Sequence, residues 1–343
     1  MKGILWPKAQ LRISRYSNPW IAPCRRTASI TRVPDGQTLT LPDSRLLGFA
    51  EFGSPSGYPV FFFHGFPASR FEAQAIDQLA RAHQLRLISP DRPGFGLSTF
   101  QPGRRIVDWP ADVQALAQHL GLSRFAILGG SGGGPYALAC ALCLPHEMMS
   151  AVGLMASAGP WKAGTHDLAV SRRITSWLAT NRPSALVRLS DLFVAVSKKI
   201  IATRQVTRLI DNMIRRANGM EGSSGRDDGS CALVEAQRKL IFSAVFEAFA
   251  QGSAGVVQDA RLLTNDWGFE FEDVTYDRIQ VWHGTKDKNS PVRAIRYMVE
   301  RLPHGDLCEF EGDNHYALAH HTERILAELV PEKEKAVFNR STE

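Results

Sequence analysis

The chain of 343 residues is 44% hydrophobic and carries a net charge of +6, which is typical of a globular protein with one large domain, with or without an insertion. Seven Lys and Arg residues and no acid lie within residues 1–34, so the remainder of the chain is nearly neutral. The basic overall charge therefore gives no reason to expect a nucleic-acid partner.

The basic segment at residues 1–34 contains Arg and Ser and lacks the continuous apolar core of a secretory signal. This composition is typical of a mitochondrial transit peptide. The alternative is a disordered basic arm on a cytoplasmic protein. The five cysteines are irregularly spaced, which indicates a reducing compartment and neither a disulfide framework nor a zinc site. The sequence thus predicts an intracellular protein, either mitochondrial or cytoplasmic.

Short apolar runs that end in turn residues predict the strands of the chain. Helical patterns separate these runs, such as the i, i+3, i+4, i+7 spacing of Val113, Leu116, Ala117 and Leu120. Strands that alternate with helices predict an α/β fold with a mostly parallel sheet, flanked by helices on both faces. The predicted strands are LLGFAEFG, PVFFFHG, LRLISPD, FAILGG, MSAVGLMAS, IQVWHG and LCEFEG, which begin at Leu46, Pro59, Leu85, Phe125, Met149, Ile279 and Leu307.

The alternation breaks at residues 158–268, which are almost wholly helical and predict a helical cap between two parts of the core, residues 35–157 and 269–331. Eleven Lys and Arg residues against three Asp lie between Trp161 and Arg216. This basic face would meet an anionic membrane or substrate, although a face that is only solvated is the more common outcome. A polar run at residues 219–230 predicts a mobile loop, and residues 332–343 predict a fraying C-terminal tail.

The run ILGGSGGGPYALA, from Ile127 to Ala139, joins a predicted strand to a predicted helix through five glycines and Ser131. Glycines let the strand and helix approach closely, and the tight corner holds the serine in an unfavourable backbone region. The pattern G-x-S-x-G between a strand and a helix is typical of a nucleophile elbow. The alternative is a linker or a phosphate loop, but a Walker-type loop requires a lysine that is absent here.

A serine nucleophile needs a base, and the base needs an orienting acid. Asp287 follows the predicted strand IQVWHG, and His315 follows the last predicted strand. The chain order of Ser131, Asp287 and His315 is that of an α/β hydrolase. The alternative role for Asp287 is a helix cap, which Ser290 is expected to provide better.

Other titratable residues near these positions have simpler interpretations. His320 and His321 lie farther into the following helix and are interpreted as surface residues. Asp313 is too close in sequence to His315 to orient it. His283, in a strand-end His-Gly pair, is expected to hydrogen-bond the turn.

The reaction also needs donors for the developing oxyanion. One predicted donor is the backbone N–H of Gly132, immediately after the nucleophile. The other is the N–H of Phe66 in the motif HGFP, which follows an early strand and in which His64 and Gly65 are expected to support the loop. The alternative is an ordinary turn, because Gly and Pro are turn residues.

Five motifs together resemble the α/β-hydrolase fold superfamily of serine-nucleophile type over roughly residues 45–157 and 270–330. They are HGFP at His64, DRPGFGLS at Asp91, GGSGG at Gly129, HGTKD at His283 and GDNH at Gly312. The resemblance implies an eight-stranded, mostly parallel sheet with a helical cap after the sixth strand. Relatives with an aspartate nucleophile, such as epoxide hydrolases and haloalkane dehalogenases, are disfavoured by Ser131.

The predicted activity is cleavage of an ester, thioester or related carbonyl substrate that is small to medium in size and mostly apolar, without a metal or organic cofactor. C–C hydrolases, lyases and acyltransferases would use the same scaffold, and a non-catalytic ligand-binding protein would retain the same motifs. Six aromatic residues would line an apolar pocket or form the core of the cap. They are Trp177, Phe193, Phe242, Phe246, Phe249 and Trp267. The sequence predicts no oligomeric state.

Overall fold

The computed structural model describes residues 36–217 and 228–342. The basic segment at residues 1–34 lies outside the described residues, as does most of the predicted loop at residues 219–230. The last three residues of that predicted loop instead begin a helix. No helix in the described part of the chain is long and apolar enough to cross a bilayer.

A single eight-stranded sheet in the order β1-β2-β4-β3-β5-β6-β7-β8 organises the described residues. The pairs β1–β2 and β2–β4 are antiparallel, and all other neighbours are parallel. The predicted α/β class with a mostly parallel sheet is thus confirmed. The strands are β1 Gln37–Thr40, β2 Leu46–Gly53, β3 Tyr58–Phe63, β4 Leu85–Pro90, β5 Phe125–Gly130, β6 Met149–Met155, β7 Ile279–Gly284 and β8 Gly305–Phe310.

Four of the seven predicted strands have different ends. The strands that begin at Leu85 and Met149 end at Pro90 and Met155, one and two residues before the predicted ends. The strand expected to reach Gly65 ends at Phe63, and the N–H and carbonyl of Gly65 hydrogen-bond to the side chains of Glu72 and His64. The last strand begins two residues before Leu307, at Gly305, and ends at Phe310. The short edge strand β1 was not predicted.

Alternating side chains of β3 fill two hydrophobic cores, one on each face of the sheet. Phe61 and Phe63 belong to one core, and Val60 and Phe62 belong to the other. This division follows from the two-residue period of a strand. Because both faces are covered, the strand is a continuous apolar run, and each fully buried aromatic side chain stabilises the fold by about 1.5–3 kcal/mol.

The helices flank the sheet, with a block of five between β6 and β7. Pro110 and Pro135 stand in the first turns of α2 and α3, where the missing N–H costs little. The helices are α1 Asp77–Ala82, α2 Trp109–His119, α3 Gly134–Cys143, α4 Val170–Asn181, α5 Pro183–Ile201, α6 Arg204–Ala217, α7 Asp228–Glu247, α8 Ala254–Thr264, α9 Val292–Val299, α10 Thr322–Leu329 and α11 Glu332–Thr342. We call α4 to α8 the helical insertion.

The prediction of a fraying C-terminal tail is wrong, because these residues form helix α11. The ring of Phe338 packs edge-to-face on Tyr58, with 5.3 Å between ring centroids. Lys335 is buried and its Nζ lies 2.6 Å from a carboxylate oxygen of Glu332. Packing of one aromatic side chain against the core therefore orders a segment whose composition is mostly polar.

Candidate active site

Ser131 lies at the sharp corner between β5 and α3, with a φ of 48°. A non-glycine residue in this left-handed region is strained. Two neighbouring positions must be glycine because other backbone atoms approach them closely. A Cβ atom on Gly129 would lie 2.7 Å from the carbonyl oxygen of Gly133, and a Cβ on Gly133 would collide with the carbonyl of Phe63. The strand and helix therefore meet only because these positions lack side chains.

The structure brings the three predicted catalytic side chains together. Ser131 Oγ lies 3.0 Å from His315 Nε2, and His315 Nδ1 lies 2.6 Å from Asp287 Oδ2. Because a carboxylate only accepts hydrogen bonds, His315 carries its proton on Nδ1, and Nε2 is left to accept the hydroxyl proton of Ser131. This is the connection that a serine nucleophile needs in order to lose its proton.

Asp287 is fully buried and its two carboxylate oxygens have different partners. Oδ1 accepts hydrogen bonds from the backbone N–H groups of Asn289 and Ser290, at 2.7 and 2.8 Å, whereas Oδ2 faces His315. The expectation that Ser290 caps the next helix is wrong, since its hydroxyl has no hydrogen-bond partner among the described residues. Asp287 both organises the turn and orients the imidazole.

The backbone around Phe66 and Gly132 is close enough to form an oxyanion hole. A Cβ atom on Gly132 would lie 3.2 Å from Phe66 N and 2.8 Å from Phe66 Cβ. Gly132 is the second residue of a short 3-10 turn at Ser131–Gly133, so its N–H has no acceptor within that turn. The two predicted donors therefore lie beside each other, next to the serine.

His64 and Gly65 hold the loop that carries Phe66. His64 Nδ1 donates to the carbonyl of Gly65 at 2.9 Å, and its Nε2 accepts from Arg92 N at 3.3 Å. Burial lowers the pKa of His64 well below its ordinary value, and the Arg92 cation lowers it further. The imidazole is therefore neutral and acts as both donor and acceptor, which matches the supporting role predicted from the sequence.

Two charged residues that were not predicted from the sequence fix the same loop. The Glu72 carboxylate accepts the N–H of Gly65 at 2.5 Å, and burial raises the pKa of this carboxyl. The Arg92 guanidinium donates to the carbonyls of His64 and Gly65. In the sequence, the only signals for these two roles were the acid Glu72, shortly after HGFP, and Arg92 in the motif DRPGFGLS.

Arg92 also connects the loop to the helical insertion. Asp259 on α8 accepts hydrogen bonds from Arg92, Arg104 and Tyr136, and its side chain is fully buried. Burial by itself would raise the pKa of Asp259, but the Arg92 and Arg104 cations lower it below its usual range. The insertion is thus attached to the core by a buried charged cluster directly behind the predicted oxyanion hole.

Two of the three remaining histidines near the site have structural partners. His283 Nε2 donates to the carbonyl of Ser290 at 2.8 Å, as expected for a turn residue, and burial lowers the pKa of His283. His321 is not a simple surface residue: its ring stacks on Phe310 at 3.9 Å, and its Nε2 lies 2.7 Å from Asp313. His320 is exposed.

The six aromatic residues assigned to a pocket or a cap core are divided between different places. Trp267 packs with Phe269 and Phe271 in the main core, and Phe249 packs in a small cluster with Phe95. Phe242 and Phe246 contact each other on α7. Trp177 and Phe193 contradict both expectations, because 57% and 72% of their surface is exposed.

The family model described as the alpha/beta hydrolase fold matches residues 58–322 of the chain. The chain belongs to this family. The matched residues include the strand-to-helix corner at Ser131 and each of the other predicted site residues. The predicted α/β-hydrolase fold with an eight-stranded sheet is thereby confirmed.

Curated relatives of this α/β hydrolase include enzymes with different named activities. A proline iminopeptidase from Xanthomonas citri is 36% identical over 112 residues, which cover 30% of this chain and 34% of the relative. The chain therefore aligns with about a third of the length of that protein. A 2-hydroxymuconate semialdehyde hydrolase from Pseudomonas putida is 25% identical over 279 residues, which cover 78% of this chain and 84% of the relative.

A solved structure with the same fold is the esterase EaEST from Exiguobacterium antarcticum. It has a TM-score of 0.53 and 18% sequence identity, and the match covers 87% of this chain and 98% of that chain. At this identity the likeness establishes the fold alone. Together, the comparisons establish that the chain is a member of the α/β hydrolase family.

Proposed function

We propose that this protein is a serine hydrolase that cleaves an ester, thioester or related carbonyl substrate of small to medium size. The observation that carries the proposal is the continuous hydrogen-bond chain from Ser131 through His315 to the buried Asp287. Hydrolytic relatives support the same reaction class. No step of the proposed reaction uses a metal or an organic cofactor.

In the first half-reaction, the hydroxyl oxygen of Ser131 attacks the substrate carbonyl carbon while His315 Nε2 accepts its proton. The carbonyl electrons move onto oxygen, and the N–H groups of Phe66 and Gly132 donate hydrogen bonds to that oxyanion. One such donor typically contributes a factor of about 10²–10³ to kcat. As the tetrahedral intermediate collapses, His315 gives the proton to the leaving alcohol or thiol, and the acyl group remains on Ser131.

In the second half-reaction, His315 removes a proton from water, which attacks the acyl-enzyme. The second intermediate collapses to release the acid, and Ser131 regains its proton. Asp287 keeps the Nδ1–H tautomer of His315 and stabilises the imidazolium. An acyltransferase would differ only here, because an alcohol would replace water as the attacking group.

The decisive test is intact-mass analysis after exposure to a fluorophosphonate. We expect one adduct on the wild-type protein, mapped to Ser131, and no adduct on Ser131→Ala or His315→Ala. His320→Ala is the matched control, because this exposed histidine is only a few residues away, and it should label like wild type. A folded wild-type protein that resists labelling would contradict the proposal and favour a ligand-binding protein on the same fold.

Product analysis then separates hydrolysis from acyl transfer. Esters of graded acyl length would be incubated with and without a competing alcohol. We expect free acid as the product in both cases. A transferred ester as the main product would instead assign the protein to the acyltransferases.

A further inference from the structure

The helical insertion exposes most of the large apolar side chains on the described surface. Outside it, only Leu46 and Tyr316 among the described residues are large apolar side chains with comparable exposure. The exposed apolar side chains of the insertion are Val170, Ile174, Trp177, Leu189, Leu192, Phe193, Val196, Ile200, Leu209, Met213, Ile241 and Val245. Such a concentration is unusual for a surface that only meets water.

The exposed residues of α5 follow helical spacing. Positions i, i+3, i+4, i+7 and i+11 from Leu189 form one stripe, which we call the α5 stripe. It consists of Leu189, Leu192, Phe193, Val196 and Ile200. None of the residues of α5 is fully buried. This is the apolar pattern of an amphipathic helix, but the apolar side faces outward.

A different side of α5 attaches it to the protein. Val187 packs against the small cluster around Ala179 and Val257, and Asp191 accepts the N–H of Ser253 at 2.8 Å. Leu186, three residues before Leu189 and near the start of the helix, packs against the same cluster. Among the contacts of the described residues, these leave the side chains of the α5 stripe exposed and available to an external partner.

Cations border the α5 stripe. Arg188 lies four residues before Leu192, and Lys199 lies seven residues after it. Both cations are therefore on the same side of the helix as Leu192, and both are exposed. The same segment of the chain has few available acids. Its three aspartates are occupied: Asp167 pairs with Arg293, Asp211 pairs with Arg238, and Asp191 caps α8.

We propose that the α5 stripe and its bordering cations dock on the surface of a bilayer that contains anionic lipids. Apolar side chains flanked by Lys and Arg are the pattern with which helices lie in the membrane interface. The long cationic side chains would reach the headgroups while the stripe enters the acyl boundary. A second copy of the chain is a poorer occupant, because a symmetric dimer would set one basic surface against another.

Flotation of the full-length protein with lipid vesicles tests this proposal, which does not rest on the proposed hydrolase function. Vesicles of equal parts phosphatidylglycerol and phosphatidylcholine should carry the protein upward, and pure phosphatidylcholine vesicles should carry much less. Raising NaCl from about 0.1 M to about 1 M shortens the Debye length from about 10 Å to about 3 Å, so binding should fall.

Variants test whether vesicle binding depends on α5 or on the basic residues 1–34. Every variant retains residues 1–34, so a loss of binding is assigned to the substituted position. Leu192→Ser with Phe193→Ser should lower partitioning into anionic vesicles at least tenfold, since two large apolar side chains are lost. Leu46→Ser, an exposed apolar side chain elsewhere, should not. Lys199→Gln should lower binding about fivefold, the usual effect of one cation near an anionic surface, whereas Lys333→Gln on α11 should leave it unchanged.

Each result decides for or against the proposal. The circular dichroism spectrum and the urea unfolding midpoint report whether the variants are folded. Equal flotation of wild type and the Leu192→Ser, Phe193→Ser variant would overturn the proposal, as would the absence of wild-type binding to anionic vesicles. A wild-type dimer that the double substitution dissociates would instead assign the stripe to a second copy of the chain.

Discussion

The carboxylate of Asp259 and the guanidinium of Arg92 form a fully buried ion pair, with 3.0 Å between Arg92 Nη2 and Asp259 Oδ2. The two residues are 167 positions apart, one on α8 of the insertion and the other after β4. Because Arg92 also donates to the carbonyls of His64 and Gly65, the pair couples the insertion to the loop that carries Phe66.

Asp259→Asn should destabilise the protein by about 3–5 kcal/mol, because it leaves two buried cations without a counter-charge. Tyr136→Phe is the matched control: it removes a hydroxyl that contacts Asp259 and Arg104 but leaves the charges intact, and should cost about 1–2 kcal/mol. Urea unfolding measures both. Similar decreases in the free energy of unfolding for the two variants would mean that the negative charge of Asp259 does not contribute to stability.

Asp287→Asn should lower kcat by roughly 10³–10⁴ while the protein remains folded. The amide still accepts hydrogen bonds from Asn289 and Ser290 through its oxygen, but its NH₂ group then faces His315 Nδ1. The imidazole would adopt the other tautomer, with the proton on Nε2, and could no longer accept the proton of Ser131. Ester turnover and thermal unfolding should be measured on the same sample. Retained turnover would remove Asp287 from the proposed mechanism.

The sequence was sufficient for the features that depend on local pattern. Apolar runs located seven of the eight strands, and the motifs around Ser131, Asp287 and His315 indicated groups that the fold brings within hydrogen-bond distance. The three side chains meet because parallel strands end at one edge of the sheet, where the residues that follow them come together.

Features that depend on contacts between distant segments were not predictable. The pairing of Arg92 with Asp259 needs two segments to meet, and no local pattern indicates it. Helix α11 has a polar sequence, and the packing of Phe338 on Tyr58 is visible only in three dimensions. For Phe193, helical spacing indicates an apolar face but not what covers it.

Gly132→Ala should lower kcat at least tenfold with a smaller change in stability. The new methyl group would lie 2.8 Å from Phe66 Cβ and 3.2 Å from Leu263 Cδ1, so it would push Phe66 and displace its N–H from the oxyanion. Gly130→Ala is the matched control, since its methyl group would be 3.5 Å or more from its neighbours at an ordinary extended φ of −88°. Steady-state kinetics should distinguish Gly132→Ala from Gly130→Ala. Equal kcat values for the two variants would argue against an oxyanion hole formed by Phe66 and Gly132.

His64 should make the stability of the protein sensitive to mild acid. Its folded pKa lies well below the ordinary value because of burial and Arg92, whereas in the unfolded chain it titrates near 6.5. Below about pH 6.5 the unfolded state therefore binds more protons than the folded state, and the free energy of unfolding falls as the pH decreases.

His64→Gln should remove this dependence, because Gln donates and accepts hydrogen bonds without titrating. Between pH 7.5 and 5.5 the free energy of unfolding should fall by about 1.4 kcal/mol more in wild type than in the variant, as linkage predicts for one histidine that stays neutral when folded. Other titrating groups, including the buried His283, remain in both proteins and cancel in the difference. Urea unfolding across this range provides the measurement, and parallel pH profiles would mean that folding does not lower the pKa of His64.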